Sequence, residues 1–105
     1  IPSPEVAADV VIVGGGLAGS LAAWRWSTVR PDLDVQLVEQ APRLGGNHTW
    51  SLHEGDVAPA QWAWLDPLVR RRWPSHEVRF PGRTRTLPQG YASLDSDRLH
   101  DVIAP

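Results

Sequence analysis

Val10–Gly19 reads VVIVGGGLAG, and Glu39 follows twenty residues later at the end of LDVQLVE. The run Val10, Val11, Ile12, Val13 is unbroken and β-branched, which predicts a parallel strand buried on both faces. Gly14 permits a tight turn out of that strand. At Gly16 a side chain would stand where a ligand's pyrophosphate must come close, and Gly19 lets the following helix pack tightly on the sheet. The spacing predicts a helix over Leu17–Val29, with Leu17, Leu21, Ala22, Trp24 and Val29 as its inward stripe and Pro31 as its stop. Free N–H groups around Leu17 and Ala18, at the positive end of the helix dipole, suit an anion. Val35, Leu37 and Val38 form a second strand. Glu39 at its end is placed to accept ribose hydroxyls, each charge-assisted bond being worth about 1.5–3 kcal/mol. An acid there also disfavours a 2′-phosphate on the same ribose. Together these residues predict an α/β fold containing a Rossmann-like βαβ dinucleotide-binding unit.

Outward from this unit the chain runs to 105 residues, which is short for a dinucleotide enzyme. The βαβ unit uses residues 9–39 and leaves few further strands to cover the sheet. The expectation is therefore a lead-in over residues 1–8, then the N-terminal part of a larger nucleotide-binding domain over residues 9–105. The formal charge of −2 steers the chain toward no class of partner and argues against nucleic acid. The absence of cysteine excludes disulfides and thiolate metal sites. No apolar run is long enough to span a bilayer, and no signal peptide with a basic start is read in these residues. His48 and His53 lack the helical spacing of a zinc motif, so no metal site is expected. No nucleophile–base arrangement is legible, and the catalytic residues are unknown at this level.

After Glu39, residues 41–50 (APRLGGNHTW) read as a loop at the carboxyl edge of the sheet, where such folds bind ligands. Gly45 and Gly46 permit close backbone approach there. Arg43 can meet a phosphate or carboxylate, or be incidental to a surface turn. Residues 57–69 have helical spacing. Six tryptophans crowd the chain, and Trp62, Trp64 and Trp73 cluster, as core, as the wall of an apolar site or as a membrane contact. Arg70, Arg71, Arg72, Arg79, Arg83 and Arg85 face only Glu77 as an acid in their own stretch, which reads as a solvated face or a lipid contact. Glu77–Phe80 and Arg83–Leu87, joined through Pro81-Gly82, predict a hairpin. Ser96 is placed to cap a last helix to about Ile103, with Leu99, Val102 and Ile103 inward.

At GGNHTWSLH (Gly45 to His53) the chain resembles the bacterial lycopene β-cyclases. DVVIVGGGLAG, RPDLDVQLVE, APAQWAWLDPLV, RRWPSHEVRFPGRTRTL and YASLDSDRLHDVI are similar to the same family in the same order, so the resemblance covers nearly everything past residue 8. Leu52 and Leu99 depart from it, standing where Phe is expected. The resemblance implies FAD, used in its reduced form with NAD(P)H as reductant. It also implies Gly14, Gly16, Gly19, Glu39, Arg43, Gly45 and Gly46 as flavin-site positions. It implies conversion of lycopene ends to β-ionone rings by acid-initiated cyclisation without net redox change, with the acid supplied downstream of these residues. His48, Trp50 and His53 are candidates to line the flavin or the way in for substrate. An apolar substrate implies a cytoplasmic protein held peripherally on the inner face of the membrane. The glycine turn and Glu39 alone serve equally an FAD-dependent oxidoreductase or monooxygenase, or a non-catalytic nucleotide-binding module. Oligomeric state is not legible.

Overall fold

The computed structural model describes residues 8–104, so the expected lead-in lies, but for Ala8, outside the described residues. β1 (Val10–Val13) and β2 (Val35–Val38) pair in parallel, from Val10 beside Val35 to Val13 beside Val38. α1 (Leu17–Val29) crosses between them. A parallel pair requires such a crossover, and the apolar strand, glycine turn and helix-forming stretch supply it in order. α1 ends where expected: the Arg30 N–H closes on the Trp26 carbonyl at 2.8 Å, and Pro31 has no N–H with which to continue.

Burial in this unit differs from expectation. Val11 is 53% exposed and Val13 82%, because successive side chains point to opposite faces of a two-stranded sheet and the described chain covers only one of them. Val10 and Ile12 take the sheltered face. The fully buried residues of α1 are Ser20 and Ala23; of the expected stripe, Leu17, Leu21 and Trp24 are half-buried and pack against the core, whereas Val29 is exposed at 53%. Small residues are buried here because α1 lies so close to the glycine turn that Ser20 Oγ donates to the Gly15 carbonyl at 3.0 Å.

The rest of the chain builds an antiparallel sheet. β3 (Thr49–His53) and β4 (Arg71–Trp73) flank β7 (Tyr91–Asp95) in the order β3–β7–β4. Trp50 stands opposite Leu94, and Arg72 opposite Ala92. Between β3 and β4 lie a short 3₁₀ turn (Glu54–Asp56), α2 (Pro59–Leu65) opened by its own proline, and a second 3₁₀ turn (Asp66–Leu68). β5 (His76–Phe80) and β6 (Arg83–Leu87) form the expected hairpin as a separate two-stranded sheet. β3 extends the ordered chain into what reads as loop, and β4 and β7 were not foreseen from the residues.

α3 (Ser96–Ile103) closes the described chain, with Leu99 inward at 1% exposure and Val102 and Ile103 half-buried. Its cap is Asp95, whose side chain accepts the Arg98 N–H at 2.8 Å, and Ser96 is the first helical residue. Leu65, Leu68, Leu94 and Leu99 form the core, and Leu17, Leu21, Trp50 and Trp62 pack around it. The core thus ties α1 to the antiparallel sheet.

Candidate functional site

A cleft of about 360 Å³ opens where β1 runs into α1. Gly15, Gly16, Leu17, Glu39, Ala41, Arg43, Gly45, Gly46, His48 and Trp50 line it. Of the candidate residues, Gly16, Leu17, Glu39, Arg43, Gly45 and Gly46 meet here, from two stretches of chain, residues 16–17 and 39–46. Gly14, Ala18 and Gly19 stand behind the wall or outside it, and two of them have clear work there. Gly14 turns the chain at φ 100°, a conformation that favours glycine. A Cβ on Gly19 would lie 2.0 Å from the Gly14 carbonyl oxygen, so only glycine lets α1 approach the turn. A Cβ on Gly16 would meet nothing within 4 Å, leaving its backbone open to the cleft. The first N–H groups of α1 have no partner within the helix and lie at this end of its dipole.

Glu39 sits at the foot of the cleft. Its Oε1 accepts the Gly15 N–H at 2.9 Å and its Oε2 the Ala41 N–H at 2.7 Å. The Ala41 bond first and the Gly15 bond second hold its carboxyl below the usual range, so it is ionised at neutral pH. An ionised carboxylate has about four lone-pair positions, so two backbone donors leave room for a further donor on each oxygen. This anchoring role was not read from the sequence.

The Gly45–His48 loop is held from a distance. Gly45 and Gly46 adopt φ 84° and 65°, and the Gly45 N–H donates to the Gly15 carbonyl at 2.7 Å. Ser96, 6% exposed, bonds His48 twice: its N–H donates to the His48 carbonyl at 2.9 Å, and its Oγ accepts the His48 N–H at 3.2 Å. His100 Nδ1 accepts the Leu44 N–H at 3.0 Å, which requires that nitrogen to be unprotonated. Arg43 reaches Asp97 at 3.5 Å and Asp101 at 3.8 Å on α3 while about half exposed, so carboxylates of this chain are its present partners. The hold of Ser96 and His100 on the loop is not legible in the sequence because both lie about fifty residues beyond it.

Three aromatic candidates separate. His48 and Trp50 face the cleft, with ring centroids 5.9 Å apart. His53 does not join them. It sits at the other end of β3 against His76 and Tyr91, with centroids at 4.8 and 5.3 Å, because five residues of strand carry it away. Beside the cleft a second cavity, of about 490 Å³, is walled by Leu17, Leu21, Trp50, Leu52, Val57, Trp62, Leu65 and Leu94, with Thr49 and Ser51 at its margin. Leu17 and Trp50 belong to both spaces. The arginine patch is also partly rewritten. Arg70 is bonded to Asp95 and Arg72 to Asp66, acids outside the stretch in which the arginines cluster. Arg72 also lies over the Trp62 ring at 4.6 Å. Among the described residues, no group of three or more His, Cys, Asp or Glu could hold a metal ion.

A family model described as lycopene cyclase protein matches residues 9–105. The chain belongs to the lycopene cyclase family. It is 48% identical over 95 residues to a lycopene beta-cyclase of Pseudescherichia vulneris, 44% to one of Pantoea ananas and 45% to one of Paracoccus sp.. Each match covers 90% of this chain and 25% of the relative, so the chain spans about a quarter of the length of these curated lycopene cyclases. No solved structure matches it. The GGNHTW segment that carries the resemblance to the lycopene cyclases is the one that supplies Gly45, Gly46, His48 and Trp50 to the cleft.

Proposed function

We propose that the cleft holds the adenosine diphosphate portion of FAD, and that the full-length protein is a lycopene β-cyclase forming β-ionone rings on lycopene. One observation carries the reading. The glycine turn, Glu39, Arg43 and the Gly45–Gly46 loop converge on one cleft, and an apolar cavity shares Leu17 and Trp50 with it. In this reading β1–α1–β2 is the first half of a Rossmann-like domain. The residues fit the group. The backbone at Gly16 and the N–H groups opening α1 would receive the pyrophosphate, Glu39 would take ribose hydroxyls on its remaining lone pairs, and Gly45 and Gly46 would admit the cofactor against bare backbone. Bound in reduced form, with NAD(P)H as the source of electrons, the flavin supplies fixed negative charge near positive charge developing on the substrate.

The chain's own residues do the holding. Ionised Glu39 ties the turn to the segment after β2. Ser96 and His100 fix the loop that forms one wall of the cleft, and Arg43 offers a cation at the rim. Trp50, with Leu17, lines both the polar cleft and the apolar cavity in which a hydrocarbon end would rest. No residue in this stretch is assigned as the acid that starts ring closure. Lycopene resides in lipid, so the protein would work in the cytoplasm at the inner face of the membrane. Among the described residues no helix is long and apolar enough to cross a membrane.

The test is pigment analysis. The full-length protein, expressed in bacteria that accumulate lycopene, is expected to yield β-carotene. Gly16→Val, which fills the open side of the turn, is expected to abolish it together with bound flavin. Lycopene left unchanged by a wild-type protein that carries flavin would overturn the cyclase reading.

A further inference from the structure

The β5–β6 hairpin is unlike the rest of the molecule. Its two strands pack on each other and on little else. Twelve residues, including the Pro81-Gly82 turn, project it about 17 Å at the rise of an extended strand. The register sorts its side chains. Phe80 stands opposite Arg83, Val78 opposite Arg85 and His76 opposite Leu87, so these six share one face. Glu77, Thr86, Arg79 and Thr84 take the other. The first face therefore combines apolar and cationic groups and contains no acid. At its tip Phe80 is 62% exposed, next to Pro81.

The arginines divide in the same way. Arg70, Arg72 and Arg79 are each paired with an acid, Asp95, Asp66 and Glu77 respectively. Arg71, Arg83 and Arg85 have no acidic partner among the described residues and are exposed; Arg71 lies on β4, and Arg83 and Arg85 are the two on the hairpin. An aromatic ring at a projecting tip, shouldered by two free guanidinium groups, matches a surface that is anionic outside and apolar just beneath. We infer that the β5–β6 hairpin is the membrane-contacting element, seating Phe80 among the headgroups of an anionic bilayer while Arg83 and Arg85 bind lipid phosphates. This face has the chemistry for lipid rather than for nucleic acid, because the chain as a whole is slightly acidic and the tip is apolar. The inference rests on the reading that the protein works at a membrane surface, but it names a part of the chain remote from the cleft residues.

Vesicle flotation of the full-length protein tests it, using phosphatidylcholine alone and phosphatidylcholine mixed with phosphatidylglycerol. Wild-type protein is expected to float with the anionic vesicles and to be released by salt. Arg83→Gln with Arg85→Gln should weaken binding by roughly 30-fold. Arg83→Lys with Arg85→Lys should keep most of it, and Phe80→Ser should remove the part that survives high salt. All these positions are exposed, and an unchanged melting temperature shows that the variants remain folded. Flotation equal for wild type and all variants would overturn the inference, as would absence of flotation or retention on an oligonucleotide in place of vesicles. Loss of binding in a variant that still cyclises lycopene in detergent would separate this inference from the cyclase reading.

Discussion

β1 and β7 teach opposite lessons about what makes a strand. β1 is VVIV, as apolar as four residues can be, yet Val11 and Val13 face outward. β7 is YASLD, mixed and half polar, yet Ala92 is 2% exposed and Leu94 4%. Neighbours account for the difference. β7 is paired on both edges, and one of its faces lies against the leucine core, whereas β1 is paired on one edge and covered on one face. A strand's composition describes the surroundings it is suited to, and its burial depends on which neighbours are there.

The contrast makes graded predictions. Leu94→Ala removes core contact from β7 where little can collapse into the gap, and should cost about 2–5 kcal/mol in chemical unfolding. Asp95→Ala, at the end of the same strand, removes the cap of α3 and should cost about 1 kcal/mol. The pH dependence of this site has a defined sign. Arg70 first, and the Arg98 N–H second, hold the Asp95 carboxyl below its ordinary range. Its contribution is therefore present above the unfolded carboxylate range and is lost as pH falls through the lower folded value. Asp95→Asn, which keeps a capping oxygen but no charge, should lose less stability than wild type as pH drops below about 4. Val13→Thr on β1 should cost less than about 0.5 kcal/mol if the outward face stays uncovered. A cost near that of Leu94→Ala would mean that β1 is sheltered in the full-length protein and would erase the contrast.

The same two strands show what could be read in advance. β1, α1 and β2 were legible because glycine positions and a β-branched run act locally, and the hairpin because Pro81-Gly82 marks its turn. β7 carried a faint signal, Ala92 and Leu94 alternating with Tyr91, Ser93 and Asp95, but its small and polar residues do not announce a central strand. β4 has three outward residues and owes its existence to pairing with β7. In the cleft, local sequence points to every lining residue before position 50 except Gly15 and Ala41. What was missed are the backbone bonds of Glu39 and the hold exerted by Ser96 and His100, since each depends on segments that only the fold brings together.

That hold has a consequence for synthesis on the ribosome. Domains form from the N-terminus onward as chain emerges, and the parallel strand pair is complete by Val38. The loop that finishes the cleft is tied to Ser96 and His100, which leave the ribosome some fifty residues later. A nascent chain therefore carries the glycine turn and Glu39 for several seconds with one wall of the cleft unfastened, at elongation rates of about 5–20 residues per second. The arrival of α3 is the earliest point at which this wall can be fastened, so the order of translation itself delays the finishing of the cleft.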